Sequence, residues 1–227
     1  MTPIAPQPDQ GQNTPMLHPE PPGHDPEPAQ DCALCPRLVA YRDENRKRNP
    51  DWHNAPVHGM GDRNAWLLLL GLAPGLSGAN RTGQPFSGDP SGALLHAVLA
   101  TQNTGPVFMT NALLCVPPGN KPMPEELRTC RTFLKRRIQS LPDLKVIVAL
   151  GHIAHQSAIK ACGGKLPKHP FAHGTVHRLH TGYTVIDSYH PSPLNTASGR
   201  LTPDMLEEVL AKAMALAPGQ ISCASRP

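Results

Sequence analysis

Apolar positions along this chain follow two alternating rhythms. Ala65 to Ala73 reads AWLLLLGLA, an unbroken apolar run of the kind shown by a strand whose sheet is covered on both faces. The same signature returns in VFMTNALLC from Val107 and in LKVIVAL from Leu144. Between these runs the apolar residues recur at helical spacing. Leu94, Leu95, Val98 and Leu99 predict a helix with Asp89 as its N-cap and Pro90 as its first residue. Further helices are predicted after Pro36, from Pro124 through about Leu141, from Gly151 through about Ala161, and from Thr202-Pro203 to about Leu216. TVHRLH and YTVIDSYH read as a hairpin-like pair turning at Thr181 and Gly182. Strand alternating with helix predicts an α/β protein, without internal repeats.

The first thirty residues break both rhythms. They hold many of the 28 prolines and almost no apolar side chains, too little to offset the entropy of ordering. The expected organisation is a disordered proline-rich tail over 1–30, one folded domain over 31–217 and a flexible tail over 218–227. A length of 227 residues suits a single core. The tail has neither a basic n-region nor an apolar h-region, and no apolar run reaches the ~18 residues of a membrane span. These features predict a cytoplasmic protein with no membrane partner. A net charge of +4 and a pI of about 8.8 permit a polyanionic partner without demonstrating one.

The stretch from Gly71 to Gly92, GLAPGLSGANRTGQPFSGDPSG, places bare backbone directly after a strand. In open α/β sheets, ligands collect at the carboxyl ends of the strands, so this loop, Asn111 to Lys121 and His190 to Asn195 are expected to converge. Neither the phosphate-cradling spacing GxxxxGK[ST] nor the dinucleotide spacing GxGxxG is present, which disfavours nucleotide cofactors. Small residues such as Gly71, Ala73 and Gly75 would let a planar ligand approach the main chain. Phe86 offers a ring for stacking and Asp89 a carboxylate, a combination that suits a nucleobase. Phe86 also reads as a core residue, and Asp89 also reads as a helix cap.

In a reducing compartment, six cysteines point to metal or cluster ligation more than to disulfides. Cys32 and Cys35 form a CxxC, and Cys115 and Cys130 lie beside later site elements. Four thiolates fit either zinc or an iron-sulfur cluster. Four scattered buried thiols are the plainer reading, and Cys162 and Cys223 look like spares.

Five separated motifs, CALCPRL, GLAPGLSGANRTGQPFSGD, TNALLCVPPGNKPMPEE, VALGHIA and SYHPSPLNTASGRLT, resemble in their order the uracil-DNA glycosylase superfamily, and specifically its family 5, or type b. The resemblance runs from about Cys32 to Leu216. It implies a three-layer α/β/α sandwich with a small central parallel sheet, a [4Fe-4S] cluster on Cys32, Cys35, Cys115 and Cys130, and a monofunctional glycosylase that excises uracil, leaving an abasic site. The substrate would be double-stranded DNA containing uracil or other deaminated bases, bound by a monomer. The cluster would brace the DNA-facing surface and do no redox work.

The resemblance also distributes roles. His190 would donate to a uracil carbonyl oxygen as charge accumulates on the departing base. Asp89 would stabilise the oxocarbenium-like sugar or orient water, since Gly75 stands where relatives carry a polar water-activating residue. Asn111 would read the base edge through its amide, and Asn120 would act similarly or simply hold its turn. Leu194 occupies the place of a wedge that fills the vacated stack, with an ordinary exposed loop leucine as the alternative. Arg81, Lys121, Ser192, Thr196 and Arg200 are candidate phosphate contacts. Two rivals stand: a family 4 enzyme, which shares fold and cluster, and a non-enzymatic zinc-dependent nucleic-acid-binding module.

Overall fold

Strand β2 (Leu67–Gly71) is buried at every residue, because helices cover both sides of its sheet. Leu67 and Leu69 face the layer that holds helix α3 (Pro90–Thr101) and helix α7 (Pro203–Met214). Leu68 and Leu70 face the opposite layer, with α4 (Pro124–Gln139) and α5 (His152–Ala161). Strand β4 (Val146–Leu150) divides in the same way, Val146 and Val148 to one side and Ile147 and Ala149 to the other. Period-two alternation between two apolar layers is what the unbroken runs in the sequence required. The structure, a computed structural model, describes residues 26–218.

The central strands are parallel in the order β3-β2-β4-β6, with β3 at Val107–Asn111 and β6 at Thr184–Ser188. Two antiparallel edges complete a six-stranded sheet: β1 (Met60–Gly61) beside β3, and β5 (Val176–Arg178) beside β6. The expected α/β/α sandwich is therefore present with a mixed sheet, parallel only at its centre. The five residues between β5 and β6 allow a hairpin and nothing longer, which makes that edge antiparallel.

Register carries the site. Gly71 pairs with Asn111, and Leu150 pairs with Ser188, so β2, β3, β4 and β6 all end at one edge of the sheet. α1 (Pro36–Arg48) packs beside that edge, where Leu38, Leu113, Leu114 and Cys130 form a separate small core.

The folded part begins earlier than the expected boundary at residue 31. Glu27 is buried and accepts from Arg137 at 2.7 Å, and the Pro28 carbonyl lies 2.8 Å from His58 Nε2. A carboxylate met by a buried guanidinium holds these residues against α4, which proline content alone does not reveal. The tails expected over 1–30 and 218–227 otherwise lie outside the described residues, at 1–25 and 219–227. Among the described residues, no helix is long and apolar enough to cross a membrane.

Candidate active site

Three loops leave the carboxyl ends of β2, β3 and β6 and enclose a cavity of about 360 Å³. The first supplies Leu72, Ala73, Gly75, Phe86 and Asp89; the second Asn111 and Asn120; the third His190, Ser192 and Pro193. Ala73, Gly75, Phe86, Asp89, Asn111, Asn120 and His190, singled out from the sequence, thus share one space. A larger open groove of about 700 Å³ lies alongside and shares Phe86 and Asp89, but its walls are Met60, Pro85, His96 and Met109 in place of Asn111 and His190.

Gly71 is the exception among the expected ligand contacts, because it does not line the cavity. A Cβ there would run into Asn111 Oδ1 and come within 2.8 Å of the Phe86 ring. Its missing side chain makes room for Phe86 and Asn111, which do line the cavity. Phe86 is 7% exposed and serves both the core and the cavity wall, at a φ of 53° that is costly for a bulky residue. Its carbonyl presses on Gly92, so the helix that follows fixes the ring's position.

Asp89 splits its carboxylate between two tasks. Oδ1 accepts the Gly92 N–H at 2.8 Å and caps α3, as the sequence indicated. Oδ2 turns toward the glycine loop, where a Cβ on Gly75 would lie 3.0 Å away and one on Gly78 would collide with it. Capping therefore occupies Oδ1 and leaves Oδ2 at the cavity wall.

His190 is partly buried at the end of β6, and its ring makes no hydrogen bond among the described residues. Burial pushes its pKa below the ordinary histidine value, and the nearby Asp89 carboxylate opposes this. The imidazole is consequently neutral at pH 7, with one N–H to donate. Removing the Asp89 charge leaves burial unopposed, so the His190 midpoint falls further in Asp89→Asn. Imidazole NMR titration checks the sign; an upward shift would contradict it.

Asn111 is 4% exposed, and its amide has no hydrogen-bond partner among the described residues. A buried amide open to a cavity calls for a ligand that both donates and accepts. Asn120 is exposed, at a φ of 56°, the turn-forming conformation that its proline-glycine context indicated. Its loop is held by Arg37, which donates to the Lys121 carbonyl at 3.1 Å and pairs with Glu126 at 2.7 Å.

Around the mouth, Leu194 stands 80% exposed on the one-turn helix α6 (Pro193–Ala197). Ser192 caps that helix with its hydroxyl, and Thr196 donates to its carbonyl at 3.3 Å. Arg81 and Arg200 are exposed; Arg81 donates to the Ser77 carbonyl, and Arg200 lies 4.5 Å over the Tyr189 ring.

Away from the cavity, Cys32, Cys35, Cys115 and Cys130 line one apolar recess with Leu34, Leu38, Leu113, Leu114 and Phe133. Burial pushes the Cys115 thiol up to about 12, and Cys35 and Cys130 upward too. The Leu114 N–H points at Cys130 Sγ at 3.4 Å. Cys162 is buried elsewhere, in the layer under α4 and α5, and Cys223 lies outside the described residues.

Several supporting residues carry no local sequence signal. Asn80 donates to Asn54 Oδ1 at 2.9 Å, a buried pair that ties the glycine loop to the segment after α1. Asn195 donates to the His190 carbonyl at 2.8 Å. Behind His190, Asp187 accepts from the His155 and His177 rings at 2.7 and 2.9 Å, and Tyr189 N–H donates to His173 Nδ1 at 3.0 Å. His155, His177 and Asp187 are close enough to hold a metal ion, and here they satisfy one another.

Residues 58–213 match the model of the Uracil DNA glycosylase superfamily. The chain is 45% identical to a Type-5 uracil-DNA glycosylase of Thermus thermophilus, across 82% of this chain and 94% of that protein. It is 40% identical to one of Mycobacterium tuberculosis, across 82% and 78%. Similarity to a Type-4 uracil-DNA glycosylase of Archaeoglobus fulgidus, 38% identical, spans only 44% of the chain and 50% of that protein.

Proposed function

Since the chain belongs to the uracil-DNA glycosylase superfamily, alongside its type-5 enzymes, we propose that the cavity receives a uracil turned out of DNA and is where the enzyme hydrolyses its glycosidic bond. The observation that carries this reading is the meeting of Phe86, Asn111, Asp89 and His190 in one cavity of about 360 Å³.

The ring of Phe86 stacks on the base and the Asn111 amide pairs with its edge. As the bond between sugar C1′ and base N1 breaks, its electron pair moves onto the base. The neutral His190 N–H then strengthens its hydrogen bond to the base oxygen where that charge collects. Asp89 Oδ2 faces the electron-poor sugar and holds the water that adds to C1′. The water's proton leaves through Asp89, and the released base takes one from solvent. An unstacked base costs a few kcal/mol, least at a mismatch, so a G·U pair is the favoured duplex target.

Leu194 fills the gap left in the stack. Burying a leucine is worth about 1.5–3 kcal/mol, so Leu194→Ala is expected to slow excision from a G·U duplex by about tenfold or more. Uracil in single-stranded DNA, where no stack is vacated, is expected to be cut as before. Equal losses on both substrates would remove the wedge role. Arg81, Lys121 and Arg200 supply phosphate contacts to double-stranded DNA, and the protein acts as a cytoplasmic monomer.

Cys32, Cys35, Cys115 and Cys130 would hold a [4Fe-4S] cluster. Four sulfurs in an apolar recess, an N–H aimed at one of them and a buried Arg42 whose Nε has no acceptor among the described residues all favour an anionic thiolate centre there. Its contribution when bound is a structural cross-link, joining the start of α1 to the loop after β3 through Cys115 and to α4 through Cys130. Purified protein is expected to be brown, absorbing near ~400 nm with about four irons per chain. A colourless protein carrying zinc would favour the rival metal.

A further inference from the structure

We propose that Arg42 is the counter-cation of the iron-sulfur centre and sets its reduction potential and its resistance to oxidative loss. The proposal rests on the cluster reading above. Arg42 lies on α1, seven residues past Cys35, and is 5% exposed. One terminal nitrogen donates to the Cys32 carbonyl at 3.0 Å. Its Nε–H is buried and has no acceptor among the described residues. The guanidinium is close enough to Cys115 for its charge to act on that sulfur.

A buried guanidinium is normally matched by a carboxylate, because stranding the charge away from water is expensive. Asp31 is the acidic neighbour close enough to feel Arg42, but it is exposed and committed to Arg46 at 2.7 Å. Neutral thiols supply no counter-charge. Four thiolates around a [4Fe-4S] core carry net negative charge, which gives this cation the anion that the protein otherwise withholds.

The sign of the effect follows from charge. A fixed cation stabilises whichever cluster state is more negative, so it raises the potential of both the reduction and the oxidation couple. Replacing it by a neutral side chain makes the cluster harder to reduce and easier to oxidise. Arg42→Met keeps an apolar stem in the recess and loses the charge; Arg42→Lys keeps the charge.

The test is an electrochemical titration of the purified full-length protein, wild type and both variants, with iron content and the rate of bleaching in air measured in parallel. Arg42→Met is expected to lower the reduced-to-oxidised ratio at a fixed potential about tenfold, or about 59 mV for one electron, and to bleach several-fold faster. Arg42→Lys is expected to recover most of both losses. If Arg42→Met fails to load iron while Arg42→Lys loads, the need for charge is supported. An unchanged potential and bleaching rate in a loaded Arg42→Met protein would overturn the proposal, as would failure of both variants to load, which would mark Arg42 as a packing residue. Wild-type protein free of iron would instead bring down the cluster reading itself, and this inference with it.

Discussion

Replacing Asp89 with asparagine is expected to slow uracil release from a G·U duplex by about 10²–10³-fold, the range seen when one group aimed at developing charge is removed. The substitution separates the two jobs of this side chain. Oδ1 caps α3 through the Gly92 N–H, and asparagine caps a helix about as well as aspartate. Thermal stability should therefore hold while turnover collapses. What is lost is the negative charge of Oδ2, which sits against Gly75 and Gly78 at the rim of the cavity. Single-turnover kinetics and a melting curve on the same sample decide the matter. Activity and stability falling together would make Asp89 a cap only, and wild-type rates would remove it from the chemistry altogether.

His190→Ala is expected to lose about 10²-fold on uracil, through the same electrostatic argument applied to the leaving base. The loss should depend on the base. A neutral imidazole donating to an anionic leaving group matters most when that group leaves poorly, so the variant is expected to be less impaired on 5-fluorouracil, whose anion is more stable. An equal loss on both bases would point to a role in shaping the cavity wall. The pH profile adds a second check. Burial holds the His190 pKa below the ordinary histidine value, so the neutral donor persists as pH falls toward that value, and the acid limb of the wild-type rate should lie below it.

The layers of this protein were legible in its sequence because burial leaves a periodic trace. AWLLLLG reads as a strand covered on both sides, and the alternate leucines do divide between the α3/α7 and α4/α5 layers. The Asp89-Pro90 start of α3 was legible because capping is local chemistry. Convergence of the three loops followed from strand order in α/β sheets, and the cavity contains residues from each.

Other features left no such trace. β1 is two residues long, and α2 (Ala79–Thr82) and α6 lie inside segments that composition marks as loop. Gly71 looked like a ligand contact, yet its lack of a side chain makes room for Phe86 and for Asn111, which lies forty residues further on and is set beside Gly71 by the register of β2 and β3. The Asn54–Asn80 pair, the Asp187–His155–His177 group and the Arg42 environment are polar matches made by tertiary packing. The partners lie between ten and 32 residues apart, and none of them follows a helix or strand period that would mark the pair.

The central claim is that one cavity, between Phe86, Asn111 and His190, holds the base. Its most direct test is an NMR titration of the protein with free uracil, following the side-chain amide of Asn111 and the imidazole of His190. Both sets of signals should move together and saturate with one affinity. Shifts confined to Met60, His96 and Met109 in the neighbouring groove, with Asn111 and His190 unmoved, would contradict it.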